Sequence, residues 1–188
     1  MSQSLPEQHP IKGASLALIT FFLLALTGVA VKFIGSSLST WAIVFCQNVI
    51  CLILLLPSLK SHKQVISLKT NRYGLLFIRA LAGVLTYFFA FMAMKTIPLV
   101  NAILLWNTAP LWVPFILLLI LKVRLPWYAI ISAIIGFIGI IFTLHPESSS
   151  FNIIGSIYAI IGGFLFAVTM VANRQLIHTE PHLRILFY

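Results

Sequence analysis

Acidic residues are nearly absent from this sequence. Only Glu7, Glu147 and Glu180 carry a side-chain carboxylate, and all three lie outside the long apolar runs. This stretch of chain therefore has no intramembrane carboxylate that could relay protons or bind sodium. Cysteine is scarce too, and Cys46 and Cys51 both fall inside one apolar run. That placement argues against a disulfide framework and against a thiolate metal site.

The motifs of common catalytic sites are also missing. The sequence has no glycine-rich phosphate loop with a lysine, no His-Glu-x-x-His helix and no Ser-His-Asp set within the apolar runs. We therefore expect no catalytic residue, no metal and no cofactor, and the protein is not predicted to be an enzyme. The net charge of +9 does not indicate nucleic acid, because the basic residues lie in short clusters between apolar runs.

Long apolar runs dominate the sequence. Hydrophobic residues make up 61% of the chain and charged residues 8%, a balance that no water-soluble core requires. A helix needs about 20 apolar residues to cross a bilayer. Six runs are long enough, at residues 13–34, 40–59, 73–96, 99–121, 127–144 and 152–173. Because the runs lack the alternation of barrel strands, we predict an all-α membrane protein with about six transmembrane helices.

The basic residues indicate the orientation of these helices. If the N-terminus is cytoplasmic, nine of the twelve Lys and Arg residues fall on cytoplasmic segments. Lys32 and Lys95 then lie at outer helix ends, and Arg79 lies within the third run. Cytoplasmic segments of membrane proteins carry such an excess of positive charge. We expect residues 1–10 to form a cytoplasmic tail.

An internal repeat relates the first and sixth runs. At an offset of 142 residues, Gly13 pairs with Gly155, Phe22 with Phe164, and Lys32 with Arg174. A unit of five helices is odd, so its second copy must enter the membrane from the opposite side. We expect a first copy at residues 11–146 and the start of a second at 152–188, with a seventh helix beginning near Pro181. The predicted fold is thus a five-helix inverted repeat whose second copy is incomplete.

The third to fifth runs resemble the EamA domain of the drug/metabolite transporter superfamily. The likeness rests on Arg79, on Phe-Ala-Phe-Met-Ala-Met at 89–94 and on Pro-Leu-Val-Asn-Ala at 98–102. Ala-Pro-Leu at 109–111, Gly-Phe-Ile-Gly-Ile at 136–140 and Pro146 continue it. This resemblance implies a permease of ten helices in two inverted halves, so this chain would be its front part. The glycine and glutamate that the family commonly has after the fourth helix are missing from residues 121–126.

Polar side chains inside the apolar runs are the candidate substrate contacts. Arg79 lies about six residues into the third run, or roughly 9 Å along a helix. It either extends to lipid phosphates or places a fixed positive charge in a substrate cavity, which would favour anionic or zwitterionic metabolites. Gln47 and Asn48 are adjacent in the second run and point about 100° apart, so they cannot both face one narrow site.

The fourth run is the best candidate for a cavity wall. Its unusual residues are Asn101, Trp106, Asn107, Pro110 and Pro114. Each proline removes a backbone donor, so Pro110 and Pro114 are expected to kink the helix. Asn107 contacts substrate or, equally, bonds to a neighbouring helix, and Trp106 either contacts substrate or fills space. In the sixth run, Ala159, Gly163 and Ala167 predict a close helix approach.

We expect these features to serve transport of a small organic metabolite or drug-like solute across a bacterial inner membrane, by alternating access. The expected partners are the solute, the lipid bilayer, and either a second copy of the chain or a missing second half. Two alternatives are a membrane-embedded lipid-modifying enzyme, and a non-transporting assembly subunit or inactive fragment.

Overall fold

The computed structural model describes residues 10–35, 37–61, 70, 72–119, 122, 126–144, 152–177 and 179–187. Within these ranges the chain forms α-helices and no strand. The helices are α1 Pro10–Ile34, α2 Thr40–Ser61, α3 Tyr73–Thr96, α4 Leu99–Trp106, α5 Ala109–Leu119, α6 Trp127–Leu144, α7 Ile153–Leu176 and α8 His182–Phe187.

Five helical stretches in the described part of the chain are long and apolar enough to cross a membrane. They are α1, α2, α3, the α4–α5 pair and α7, and α6 is a shorter apolar helix. The prediction of an all-α membrane protein is confirmed. The predicted tail at 1–10 lies outside the described residues except for Pro10, which begins α1. The loop at 121–126 and the repeat boundary at Pro146 also lie largely outside them.

The fourth apolar run is two helices rather than one. α4 ends at Trp106 and α5 begins at Ala109, with Asn107 and Thr108 in a turn between them. The N–H of Thr108 donates to the Leu105 carbonyl at 3.1 Å, and the N–H of Leu111 donates to the Thr108 carbonyl at 2.8 Å. These i to i−3 bonds tighten the chain where Pro110 has no N–H to donate.

Helix α7 is the central helix of the fold, packed against α3 on one side and α4–α5 on the other. Its start is capped by Asn152, whose side chain accepts a hydrogen bond from the Gly155 N–H at 3.2 Å. The buried face of α7 is made of small residues, and Ala159 and Ala167 are fully buried. A Cβ atom added to Gly162 would lie 3.3 Å from the backbone nitrogen of Ala90 in α3. The predicted close approach of this helix is confirmed.

Helices α1 and α2 lie at the periphery of α3 and expose most of their apolar side chains. Such exposure suits helices whose solvent is hydrocarbon. Two lysines connect the C-terminal ends of α1 and α3. Lys32 Nζ donates to the Ile97 carbonyl at 2.9 Å, and Lys95 Nζ donates to the Leu38 carbonyl at 2.7 Å. Each ammonium group thereby satisfies a carbonyl that ends or follows a helix.

Candidate functional site

Arg79 links the two central helices. It lies six residues after the start of α3 and is half-buried. Its Nε atom donates a hydrogen bond of 2.8 Å to Oδ1 of Asn173 in α7. Among the described residues, its two terminal nitrogens donate no hydrogen bond. The guanidinium group is therefore held in place by one bond, and within the described part of the chain no hydrogen bond occupies the edge that could bind an anion in a bidentate manner.

Arg79 opens onto a space that we name the arginine cleft. This cleft has a volume of about 430 Å³ and is lined by residues of α2, α3, α7 and α8. Its hydrogen-bonding lining includes Asn48, Arg79, Thr86, Thr169 and Asn173. Arg79 is the charged residue among those that line it. A single positive charge beside several hydrogen-bonding side chains, in a cleft of an otherwise apolar protein, favours a solute with a negatively charged group.

The periodicity of α7 builds one wall of the arginine cleft. Phe166, Thr169 and Asn173 are spaced by three and four residues, so they share one helix face, and all three line the cleft. The Thr169 hydroxyl donates to the Leu165 carbonyl of its own helix at 3.1 Å. This bond uses the hydroxyl hydrogen, so the lone pairs of Thr169 Oγ1 remain available to a ligand.

A second space, which we name the aromatic cleft, lies between α1, α2, α3 and α4. It has a volume of about 140 Å³, and Gln47, Tyr87, Phe91, Trp106 and Asn107 are among its lining residues. Tyr87 also lines the arginine cleft, so the two spaces are neighbours that share one aromatic ring. The residues that line the aromatic cleft carry no charged group.

Trp106 is the most buried of the predicted site residues, with 3% of its surface exposed. Its ring stacks on Phe166 at a centroid distance of 5.3 Å and an interplanar angle of 24°, and it meets Tyr87 at 6.0 Å. Within the described part of the chain, the indole Nε1 is buried and has no hydrogen-bond partner. The same holds for Oε1 of Gln47, so one donor and one acceptor beside this cleft are unpaired.

The other predicted residues of the fourth run are dispersed. Asn107 lines the aromatic cleft, is exposed, and donates through Nδ2 to the Ile103 carbonyl at 2.9 Å. Pro110 is the second residue of α5, whereas Pro114 lies inside α5, which stays helical on both sides of it. Asn101 is half-buried in α4 and lines neither cleft. The structure thus places Trp106 and Asn107 at one cleft and Arg79 at the other.

Three further polar residues complete the two clefts, namely Gln47, Asn48 and Asn173, and of these only Asn173 was not singled out from the sequence. The adjacent pair in α2 divides between them, because Gln47 lines the aromatic cleft and Asn48 lines the arginine cleft. This division agrees with the 100° step between neighbouring helix positions. Asn173 was missed because it ends an apolar run, where an asparagine is ordinary. Its spacing of four residues from Thr169 is the pattern that points to a shared polar face.

The end of the arginine cleft is bordered by α8. Leu186 and Phe187 line the cleft, and Ile185 packs against Leu76 and Leu176. The segment before α8 is held by Glu180, which accepts hydrogen bonds from the Thr70 hydroxyl and from Arg184. The Thr70 hydrogen bond, and then Arg184, lower the pKa of Glu180 below its ordinary value.

The fold defines an all-α integral membrane protein with two clefts between its helices. The sequence model of the EamA-like transporter family matches residues 11–145, and the chain belongs to this family. The resemblance drawn from residues 79–146 is therefore confirmed. Membership of a transporter family favours transport over the enzyme alternative.

Similar curated proteins are named S-adenosylmethionine uptake transporters. Those of Rickettsia felis, Rickettsia bellii and Rickettsia prowazekii are each 26% identical to this chain over 178 residues, which is 90% of the chain. The chain spans about three-fifths of the length of these relatives, 59% for two of them and 60% for Rickettsia bellii. No solved structure matches the chain.

Proposed function

We propose that this protein moves a small carboxylate-bearing metabolite across the membrane by alternating access. The observation that carries the proposal is Arg79, the charged side chain among those that line the arginine cleft, which is held there by Asn173 of α7. An arginine at the centre of a membrane helix costs about 2.5 to 3.5 kcal/mol on insertion scales, and a position nearer the helix end, such as that of Arg79, costs less. A carboxylate ligand offsets that cost, and the guanidinium edge binds it in a bidentate manner.

S-Adenosylmethionine is the first substrate to test. Its name comes from the curated relatives, and its methionine end carries the carboxylate that Arg79 would bind. Its sulfonium group is a cation, and aromatic faces bind cations without requiring a carboxylate. Tyr87, which lines both clefts, provides such a face next to the arginine cleft. Asn107 is proposed as a further polar contact in the aromatic cleft, and Asn101 remains a weaker candidate.

We further propose a bacterial inner-membrane location with a cytoplasmic N-terminus, supported by the distribution of basic residues. In that orientation the arginine cleft lies in the cytoplasmic half of the protein, because Arg79 is near the start of α3. In transporters built from inverted repeats, alternating access moves one half against the other around one site. We propose that residues 11–146 are one half, that α7 begins the other, and that the opposite wall comes from a further segment or from a second copy of this chain.

Uptake of radiolabelled S-adenosylmethionine into proteoliposomes tests the proposal. We expect saturable uptake above that of empty liposomes, reduced about tenfold or more in Arg79→Gln because a charge-assisted bond is lost. Arg174→Gln is the matched control, since Arg174 is exposed on α7 and lines neither cleft. Absence of saturable uptake by the reconstituted wild-type protein would contradict the proposal that S-adenosylmethionine is the substrate. If a crosslinked partner is also found, the result would favour an assembly subunit.

A further inference from the structure

The aromatic cleft has the chemistry of a binding site for a flat, uncharged ring. Its lining carries no charged residue, and the rings of Tyr87, Phe91 and Trp106 contribute to its walls. Its volume of about 140 Å³ is smaller than the roughly 300 Å³ at which sites for whole drug-sized ligands begin. The space therefore suits one ring system rather than a complete solute.

Two residues that line this cleft each have an unpaired buried polar atom, and these atoms indicate what a bound ring would carry. Trp106 is buried, and its Nε1 has no hydrogen-bond acceptor among the described residues. Gln47 Oε1 likewise has no donor there. An unpaired buried donor or acceptor costs about 1–3 kcal/mol, so native proteins rarely keep one without a ligand or water to satisfy it. A ring that accepts from the indole N–H and donates to the Gln47 carbonyl would satisfy both atoms.

We infer that the aromatic cleft binds a neutral nitrogen heterocycle with a ring-nitrogen acceptor and an exocyclic amino donor, of the aminopurine class. Trp106 Nε1 donates to the ring nitrogen, and Gln47 Oε1 accepts from the amino group. The inference rests on the proposed function in one respect, since the ring is taken as the uncharged end of a solute whose carboxylate is held at Arg79. Tyr87 lies between the two ends, because it lines both clefts.

The stacked pair of Trp106 and Phe166 adds a physical link between the clefts. Trp106 lines the aromatic cleft, whereas Phe166 lines the arginine cleft, and their rings are 5.3 Å apart. A ring that binds against Trp106 therefore contacts the stacking partner of Phe166, a residue that lines the arginine cleft. A solute with both ends occupies both sites through one molecule, and it binds more tightly than either fragment because the second contact is intramolecular.

Equilibrium binding of tritiated adenosine to the purified protein in lipid nanodiscs tests this site alone. Adenosine has the amino-bearing ring and no carboxylate, whereas inosine lacks the exocyclic amino group. We expect saturable adenosine binding that weakens about tenfold when one hydrogen bond is removed, in Trp106→Phe or in Gln47→Leu. We expect wild-type protein to prefer adenosine to inosine, and Gln47→Leu to lose that preference. Trp127→Phe and Gln175→Leu are matched controls, because Trp127 and Gln175 line neither cleft.

The outcomes separate this inference from the transport proposal. If wild-type protein binds no adenosine, or if both variants bind it as the wild type does, the inference is wrong even where S-adenosylmethionine uptake is present. If adenosine binding responds to both variants and uptake is absent, the ring site stands and the transport proposal fails. A melting temperature within a few degrees of wild type is required of each variant, and Gln47→Met serves as a second variant, which also lacks the carbonyl acceptor, should Gln47→Leu fail to fold.

Discussion

Arg79 Nε and Asn173 Oδ1 are joined by a 2.8 Å hydrogen bond across 94 residues of sequence. The bond connects α3 to α7, the two helices with the most extensive contact in the described fold. It fixes a cationic side chain at the border of a polar cleft, where a mobile arginine would extend to the lipid headgroups. Arg79 therefore has a structural role in joining α3 to α7 and a proposed role in binding a carboxylate, and mutation can separate the two.

The Arg79–Asn173 bond should appear as a coupling energy in unfolding measurements. In a cycle of wild type, Arg79→Met, Asn173→Leu and the double variant, we expect a coupling of about 1 kcal/mol, because the bond is charge-assisted and lies between membrane helices. Chemical unfolding in mixed micelles measures it. Asn101→Leu is the control for replacing a half-buried asparagine that lines neither cleft. Additive effects of the two single variants would show that the bond contributes nothing.

Gly163 allows α7 to touch the turn between α4 and α5. A Cβ added there would lie 2.8 Å from Thr108 Oγ1 and 2.9 Å from the Trp106 carbonyl oxygen, closer than real contacts allow. Gly163→Ala should therefore destabilise the fold by about 1–3 kcal/mol through overpacking. Gly139→Ala is the control, because a Cβ at Gly139 meets nothing within 4 Å. Thermal melts in detergent check both, and a Gly163→Ala melt at or above wild type would contradict the packing described.

Glu180 should titrate below its ordinary pKa of 4.5. The Thr70 hydroxyl is the largest cause and Arg184 adds to it, and both favour the ionised carboxylate of the folded state. Because the folded-state pKa is lowered, the stabilisation is fully present above about pH 4.5 and is lost as the pH falls through the folded pKa. Carbon-13 labelling of glutamate gives three carboxyl signals, since the chain has three acidic residues, and Glu180→Gln assigns one.

Thr70→Val is the companion variant for that titration. It removes the largest cause of the lowered pKa, so the Glu180 signal should move to higher pH while Arg184 still pairs with the carboxylate. Acid loosening of the segment before α8 should then begin at a higher pH. A wild-type Glu180 signal that titrates at or above 4.5 would contradict the geometry.

The helices could be predicted from sequence because run length and hydropathy set them locally. The apolar runs at 73–96 and 127–144 coincide with α3 and α6. The break at Asn107 and Thr108 was not placed in advance, although Pro110 was identified as disruptive. A proline removes a backbone donor, but it does not by itself set the position of the turn. That position depends on which carbonyl accepts from the residues before the proline, and here the Thr108 N–H donates to the Leu105 carbonyl.

The sequence could predict those site residues that are individually unusual for their surroundings. Arg79 stands out in an apolar run because a charge there is costly. Its partner Asn173 is 94 residues away, and no local pattern shows which side chains meet across that separation. Trp106 was singled out as a residue that either contacts substrate or fills space, yet its stacking on Phe166 depends on how closely α7 approaches α4.

The carboxylate preference of Arg79 is the central claim, and competition measures it most directly. The experiment measures how strongly unlabelled S-adenosylmethionine and its decarboxylated analogue each inhibit uptake of labelled S-adenosylmethionine, in wild type and in Arg79→Gln. We predict that wild type favours the carboxylate compound by about tenfold or more, and that Arg79→Gln retains its response to the analogue but loses the preference. An equal preference in both proteins would contradict the account, because the carboxylate would then be recognised elsewhere.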